Sequence, residues 1–139
     1  MNNLKINHLA VLVSVVWMFV LGFLWYGPIF GEPWMQMSGL TLEGIEADPP
    51  GAGVWISNLF SSIVPIYVLA WVFVRMNVNS LVSGLTTGLI ISVAFSLLPM
   101  ITGGLFAKDP YPLAWIEGGF QVAGWTVAGA ILGAWTKTK

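Results

Sequence analysis

The sequence has no cysteine, a single histidine (His8), and charged residues at only 8% of its 139 positions. Without Cys there is no disulfide, no thiolate nucleophile and no sulfur ligand for a metal. One His leaves most metal-enzyme schemes short of ligands. Five Lys/Arg against six Asp/Glu give a net charge of -1, so no basic surface exists for nucleic acid and no polybasic run for anionic lipid. A soluble domain carries about 25% charged residues. This chain instead is 57% hydrophobic with a mean hydropathy of +0.83, and it belongs in a bilayer.

Long apolar runs dominate what is present. After a short polar lead containing Lys5, residues 9–26 are almost uninterruptedly apolar. The run is long for a signal peptide and ends in Trp25-Tyr26-Gly27-Pro28 with no small-x-small cleavage site, so a retained first span is expected. Further runs cover Val54–Val74, Leu81–Phe106 and Leu113–Trp135. The second, at 1.5 Å per residue, gives about 31 Å of helix, enough for a hydrocarbon core about 30 Å thick. The expected fold is all-α: one integral membrane four-helix bundle filling residues 1–139. Its spans lie near 9–27, 54–74, 81–106 and 113–135, with an outer acidic loop over 28–53.

Breakers punctuate the stretch from Gly22 to Gly39. Gly27-Pro28 and Glu32-Pro33 are expected to interrupt the helix, with Gly31 allowing close backbone approach. The connection over 35–53 contains no Lys or Arg. It offers Met35, Met37, Leu40 and Leu42 for a short interfacial helix, then Glu43, Glu46 and Asp48 before a Pro/Gly end expected to be extended. Its E-x-x-E-x-D pattern lacks the glycine and spacing of an EF-hand, so a solvated acidic loop is favoured over a calcium site.

Counting cations sets the orientation. The termini and the second loop share a side in a four-span chain and hold Lys5, Arg75, Lys137 and Lys139, whereas the other side holds Lys108. Cytoplasmic loops carry the Lys/Arg excess, so both termini are expected in the cytoplasm and the acidic loop outside. Aromatic residues agree: Trp25, Tyr26, Trp34, Trp55, Tyr111 and Trp115 gather at the outer boundary, and Trp71 and Trp135 near the inner one.

Polar residues inside the runs mark candidate sites. Asn58, Ser61 and Pro65 fall on one helical face, expected to point at protein. Gly84, Gly88, Ser92 and Ser96 repeat every four residues, Glu117, Gln121, Gly124 and Ala128 form a seam, and Gly129 and Gly133 add a small-xxx-small pair. Pro99 is expected to kink the third run. At matched depth, Glu117, Asn58, Ser61, Gln121, Glu32 and Trp34 form a candidate polar cluster in the outer leaflet. An intramembrane carboxylate points to function by default, yet Glu117 is shallow enough to snorkel or hydrogen-bond structurally, and Glu32 can cap a short helix.

The run L-G-F-L-W-Y-G-P-I-F-G-E-P-W from Leu21 to Trp34, with Gly39-Leu40-Thr41 and Glu117-Gly118-Gly119-Phe120-Gln121, resembles the bacterial family catalogued as domain of unknown function 1761. The resemblance implies a small four-span protein of the bacterial cytoplasmic membrane, and it carries no activity onto individual residues. Two function classes follow from the residues. The first is an oligomeric or accessory subunit packed through small-residue helix faces, with the lipid bilayer, further copies or a larger membrane complex as partners. The alternative is a translocator or receptor for a small cation or polar solute at Glu117. An enzyme is not expected, because the lone His lies on the opposite face from both carboxylates and no nucleophile-base pair assembles. No catalytic residue, metal site or cofactor is expected either.

Overall fold

A computed structural model describes residues 3–139. The chain is helical throughout, apart from one short antiparallel pairing of β1 (Leu4–Lys5) with β2 (Lys137–Thr138). That pairing sets Leu4 opposite Thr138 and Lys5 opposite Lys137, so both ends of the described chain meet at one end of the molecule. Asn7 locks the same corner. Its side-chain oxygen caps the first helix by accepting from the Leu9 and Ala10 amides, while its Nδ2 donates to the Trp135 carbonyl at 3.0 Å.

The helices follow in order. They are α1 (His8–Leu24), α2 (Gly31–Ser38), α3 (Leu42–Ala47), α4 (Ala52–Met76), α5 (Leu81–Ser92), α6 (Leu98–Ala107) and α7 (Tyr111–Ala134). Wide π turns extend α1 through Trp25–Ile29 and join α5 to α6 through Val93–Leu97. Both turns accommodate a proline. Pro28 and Pro99 have no N–H for the carbonyls four residues back, and the wider turn relieves the clash an α-helix would impose. The Phe30 amide reaches the Trp25 carbonyl at 2.8 Å across the first of them. Where the sequence led us to expect breaks at Gly27-Pro28 and Glu32-Pro33, the first is a turn inside a continuous helix. The second opens α2, because a first-turn residue needs no N–H.

Three helical stretches combine the length and apolarity needed to cross a membrane: His8–Ile29, Ala52–Met76 and Leu81–Ala107. Large apolar side chains such as Phe23, Phe60, Ile90 and Phe95 cover their exteriors, while Ser14, Gly88 and Ser92 lie inside. Such an arrangement suits a lipid solvent, where bulk faces outward and small residues let backbones meet.

At the centre stands α7. Its second half runs antiparallel to α5, and the two backbones touch: a Cβ on Gly84 would land on the Gly129 carbonyl and lie 2.9 Å from the Gly133 Cα. On its next face α7 meets α1, where Gly124 lies under Met18 and the Trp17 indole N–H donates to the Gly124 carbonyl at 3.1 Å. The apolar core forms near the termini from Ala10, Val11, Ile66, Leu69, Phe73 and Ala128 and their neighbours.

Only the last turns of α4 join this core. Its buried residues are Ile66, Leu69, Ala70 and Phe73, whereas residues 51–61 are exposed without exception. The change falls between Ser61 and Pro65, where Ser62 and Ile63 are half-buried and Ile63 packs against the core. Asn58 and Ser61 therefore do not point at protein within this chain. Sequence spacing placed them correctly on a helix but carried no information that this half of the helix leaves the bundle.

Candidate functional site

The end of the molecule opposite the termini is built around the first π turn and the start of α7. Trp25 acts as a clamp: its indole N–H donates to the Ile116 carbonyl at 2.9 Å, and its ring lies 4.7 Å from that of Phe30 and 6.5 Å from that of Phe120. Tyr26 meets Trp34 edge-on at 5.0 Å and Phe120 at 5.3 Å. Gly31 makes the turn possible, since a Cβ there would stand 2.7 Å from the Tyr26 carbonyl oxygen. Through these contacts α2 folds back over the start of α7, and Trp34 becomes part of an aromatic cluster.

Glu117 borders that cluster. It is half-buried and interacts electrostatically with Tyr26, and no hydrogen bond or ion pair reaches it from any described residue. Gln121, one turn deeper and also half-buried, is equally without a hydrogen bond from the protein. Among the described residues Thr126 Oγ1 is the one fully buried side-chain polar atom lacking a partner, so the polar ends of Glu117 and Gln121 are not fully enclosed.

Helical spacing explains that opening. Glu117, Gln121, Ala128 and Leu132 recur at intervals of four, seven and four, one face of α7. At its lower end this face is closed by α4, where Ala128 is 0% exposed and packs with Ile66, Leu69 and Phe73. Toward its N-terminal end α4 becomes exposed, and the upper half of the face, carrying Gln121 and Glu117, is half-buried and bordered by Tyr26 and the folded-back α2.

The remaining residues of the candidate cluster lie elsewhere. Asn58 and Ser61 are on the exposed arm of α4, and the Asn58 carbonyl accepts from the Ser62 hydroxyl at 2.9 Å. Glu32 is exposed in the first turn of α2, where its charge suits the helix N-terminus, and it accepts from Gln36 Nε2 at 3.4 Å. The structure thus gathers Glu117 and Gln121 with the cluster containing Trp34, and does not bring Glu32, Asn58 or Ser61 to them.

The helix-packing residues act inside the chain. Gly84 and Gly88 sit against Gly129, Gly133 and the Trp125 backbone; Gly124 lies under Met18; Ala128 and Ser92 are buried, and Ser96 is half-buried. Sequence reasoning passed over Phe120, Trp17 and Tyr67. Phe120 is the hub of the aromatic cluster, and the Tyr67 hydroxyl shares a hydrogen bond of 3.0 Å with His8 Nδ1. Trp17 left a usable signal: an indole in mid-span needs a partner for its N–H, which marks it as facing protein.

On the far side of α7 lies an apolar groove of about 490 Å³, bounded by Trp17, Leu21, Leu89, Trp115, Val122 and Thr126. No group of three or more His, Cys, Asp or Glu side chains with metal-binding placement occurs among the described residues. A family model described as protein of unknown function (DUF1761) matches residues 9–133. No curated protein matches the chain, and no solved structure does.

Proposed function

From the premise that the chain belongs to the DUF1761 family of unknown function, we propose a four-crossing protein of the bacterial cytoplasmic membrane. It works as an oligomeric or accessory subunit, and the outer half of α4 is its docking arm. One observation carries this reading: residues 52–61, the first part of a membrane-length helix, are all exposed, yet they include Asn58 and Ser61. Polar side chains facing lipid are costly, and a partner helix relieves that cost.

Support for the fourth crossing comes from the paired termini. Three crossings leave the chain ends on opposite sides, whereas β1 and β2 lie together. α7, packed antiparallel along α5, makes the return. The cation count puts the termini in the cytoplasm.

Small-residue faces no longer supply the interface, since α5 and α7 consume them within one chain. The arm and the apolar groove replace them. Residues 52–64 and 115–127 each run about 18 Å at 1.5 Å per residue. Both begin at the end of the bundle away from the termini, so a second copy's arm fits the groove at the same depth. Aromatic side chains carry about 150–250 Å² each. Trp55 and Phe60 from each of two copies supply up to about 600–1,000 Å², and their exposed neighbours Val54, Ile56, Leu59 and Val64 add toward the roughly 1,200–2,000 Å² of a stable pair.

The cysteine-free chain makes the test direct. A Phe60→Cys, Val122→Cys double variant is expected to form disulfide-linked dimers on mild oxidation in membranes, and the detergent-extracted parent to register as a multimer or with a copurifying partner in native mass spectrometry. A strict monomer with no partner and no cross-link overturns the reading.

A further inference from the structure

A half-buried carboxylate, Glu117, stands near the start of α7, and its oxygens are not fully enclosed by the chain. No cation from the described chain pairs with it. Beside it stands a cluster of aromatic rings comprising Tyr26, Phe120, Trp34 and Trp25, and one turn below it is the free amide of Gln121.

The donor set selects the ligand. A hard metal ion gathers about six to eight oxygens, and no such group of side chains is assembled here. A single carboxylate beside an aromatic cluster instead matches an organic ammonium. The charge pairs with the carboxylate, N-bound methyl or methylene groups lie on ring faces, and the site carries no opposing positive charge. The exterior of the spans around it is apolar, with Phe23, Phe60 and Phe95 exposed. An apolar body attached to the cation therefore meets surroundings of matching character.

We propose that Glu117, with Gln121 and the Tyr26–Phe120 rings, forms a lateral outer-leaflet site for an organic ammonium ion carried on an apolar body. The ammonium belongs either to a soluble amine or to an aminophospholipid headgroup, two sources of one chemistry. The site is complete within one chain and so stands apart from the docking of α4.

Full-length protein in phosphatidylglycerol nanodiscs, titrated calorimetrically with benzyltrimethylammonium, tests it. Saturable binding is expected for the parent and none for the neutral carbon isostere of the probe. Glu117→Gln should weaken binding at least about tenfold, given that charge-assisted contacts are the strong ones. Glu117→Asp, which keeps the charge one methylene further back, should fall between, and Glu32→Gln should bind like the parent. In phosphatidylethanolamine nanodiscs, a lowered probe affinity assigns the site to the lipid amine and an unchanged one to a soluble ammonium. Either outcome sustains the site. Absent binding in the parent, or equal binding after Glu117→Gln while the variant retains the parent's thermal unfolding profile, overturns it. Copy number, read from the same samples by cross-linking, separates this outcome from failure of the docking arm.

Discussion

Single residues set how closely helices approach. Gly84 and Gly129 stand where the backbones of α5 and α7 meet, and no side chain fits between them. Gly84→Ala must push the helices apart, an overpacking change costing about 1–3 kcal/mol. Gly103, with open space around its missing Cβ, is the matching control: Gly103→Ala should stay within about 0.5 kcal/mol. Reversible unfolding in mixed micelles reads both. Equal costs would mean that the α5–α7 contact is looser than the geometry requires. Trp25 illustrates a different constraint. Its indole ties the first π turn to α7 through the Ile116 carbonyl, so Trp25→Phe should lower stability by about 0.5–1.5 kcal/mol, the net worth of one hydrogen bond, while keeping the ring contacts.

At the scale of elements, α4 is two different objects joined between Ser61 and Pro65. Below that stretch, Phe73 is 3% exposed and seated in the core; above it, Phe60 is 65% exposed. Truncating Phe73 to Ala should cost about 3–5 kcal/mol, the usual penalty for emptying an aromatic site. Phe60→Ala should leave the isolated chain within about 0.5 kcal/mol and weaken association. Unfolding and cross-linking yield, measured together on both variants, distinguish stability from docking.

Here the limits of sequence become physical. Three of the four expected runs recur as helical stretches long and apolar enough to cross a membrane, and the seam of α7 was legible too, because helical spacing alone places Glu117 above Gln121. That Pro28 and Pro99 would be absorbed by π turns was not legible, since proline signals the lost hydrogen bond but not how the backbone relieves it. Nor was the departure of α4 visible. Asn58 and Ser61 share a face by spacing, and only tertiary placement decides whether anything covers that face.

For the whole molecule, everything turns on the number of crossings, and the paired termini make that number testable. Leu4 and Lys5 hydrogen-bond with the segment Lys137–Thr138, so the two ends cannot lie on opposite sides of a membrane while the fold is intact. If α1, α4 and the α5–α6 unit each cross once, α7 must cross as well, although Glu117 and Gln121 lower its apolarity. The proposed orientation, with the termini inside, follows from the cation count. Cysteine substitution reads this directly, because the natural sequence offers no competing thiol. In intact cells, a membrane-impermeant maleimide should label Glu46→Cys on α3 and Asp109→Cys between α6 and α7. Asn3→Cys and Lys139→Cys should react only after the membrane is permeabilised. Labelling of one terminus but not the other would require an odd number of crossings and would break the β1–β2 pairing. Labelling of both termini with protection of Glu46→Cys would invert the orientation and move Glu117 to the inner leaflet. The geometry of the Glu117 site would survive that inversion. Its ligand would then be drawn from the cytoplasm rather than from outside the cell.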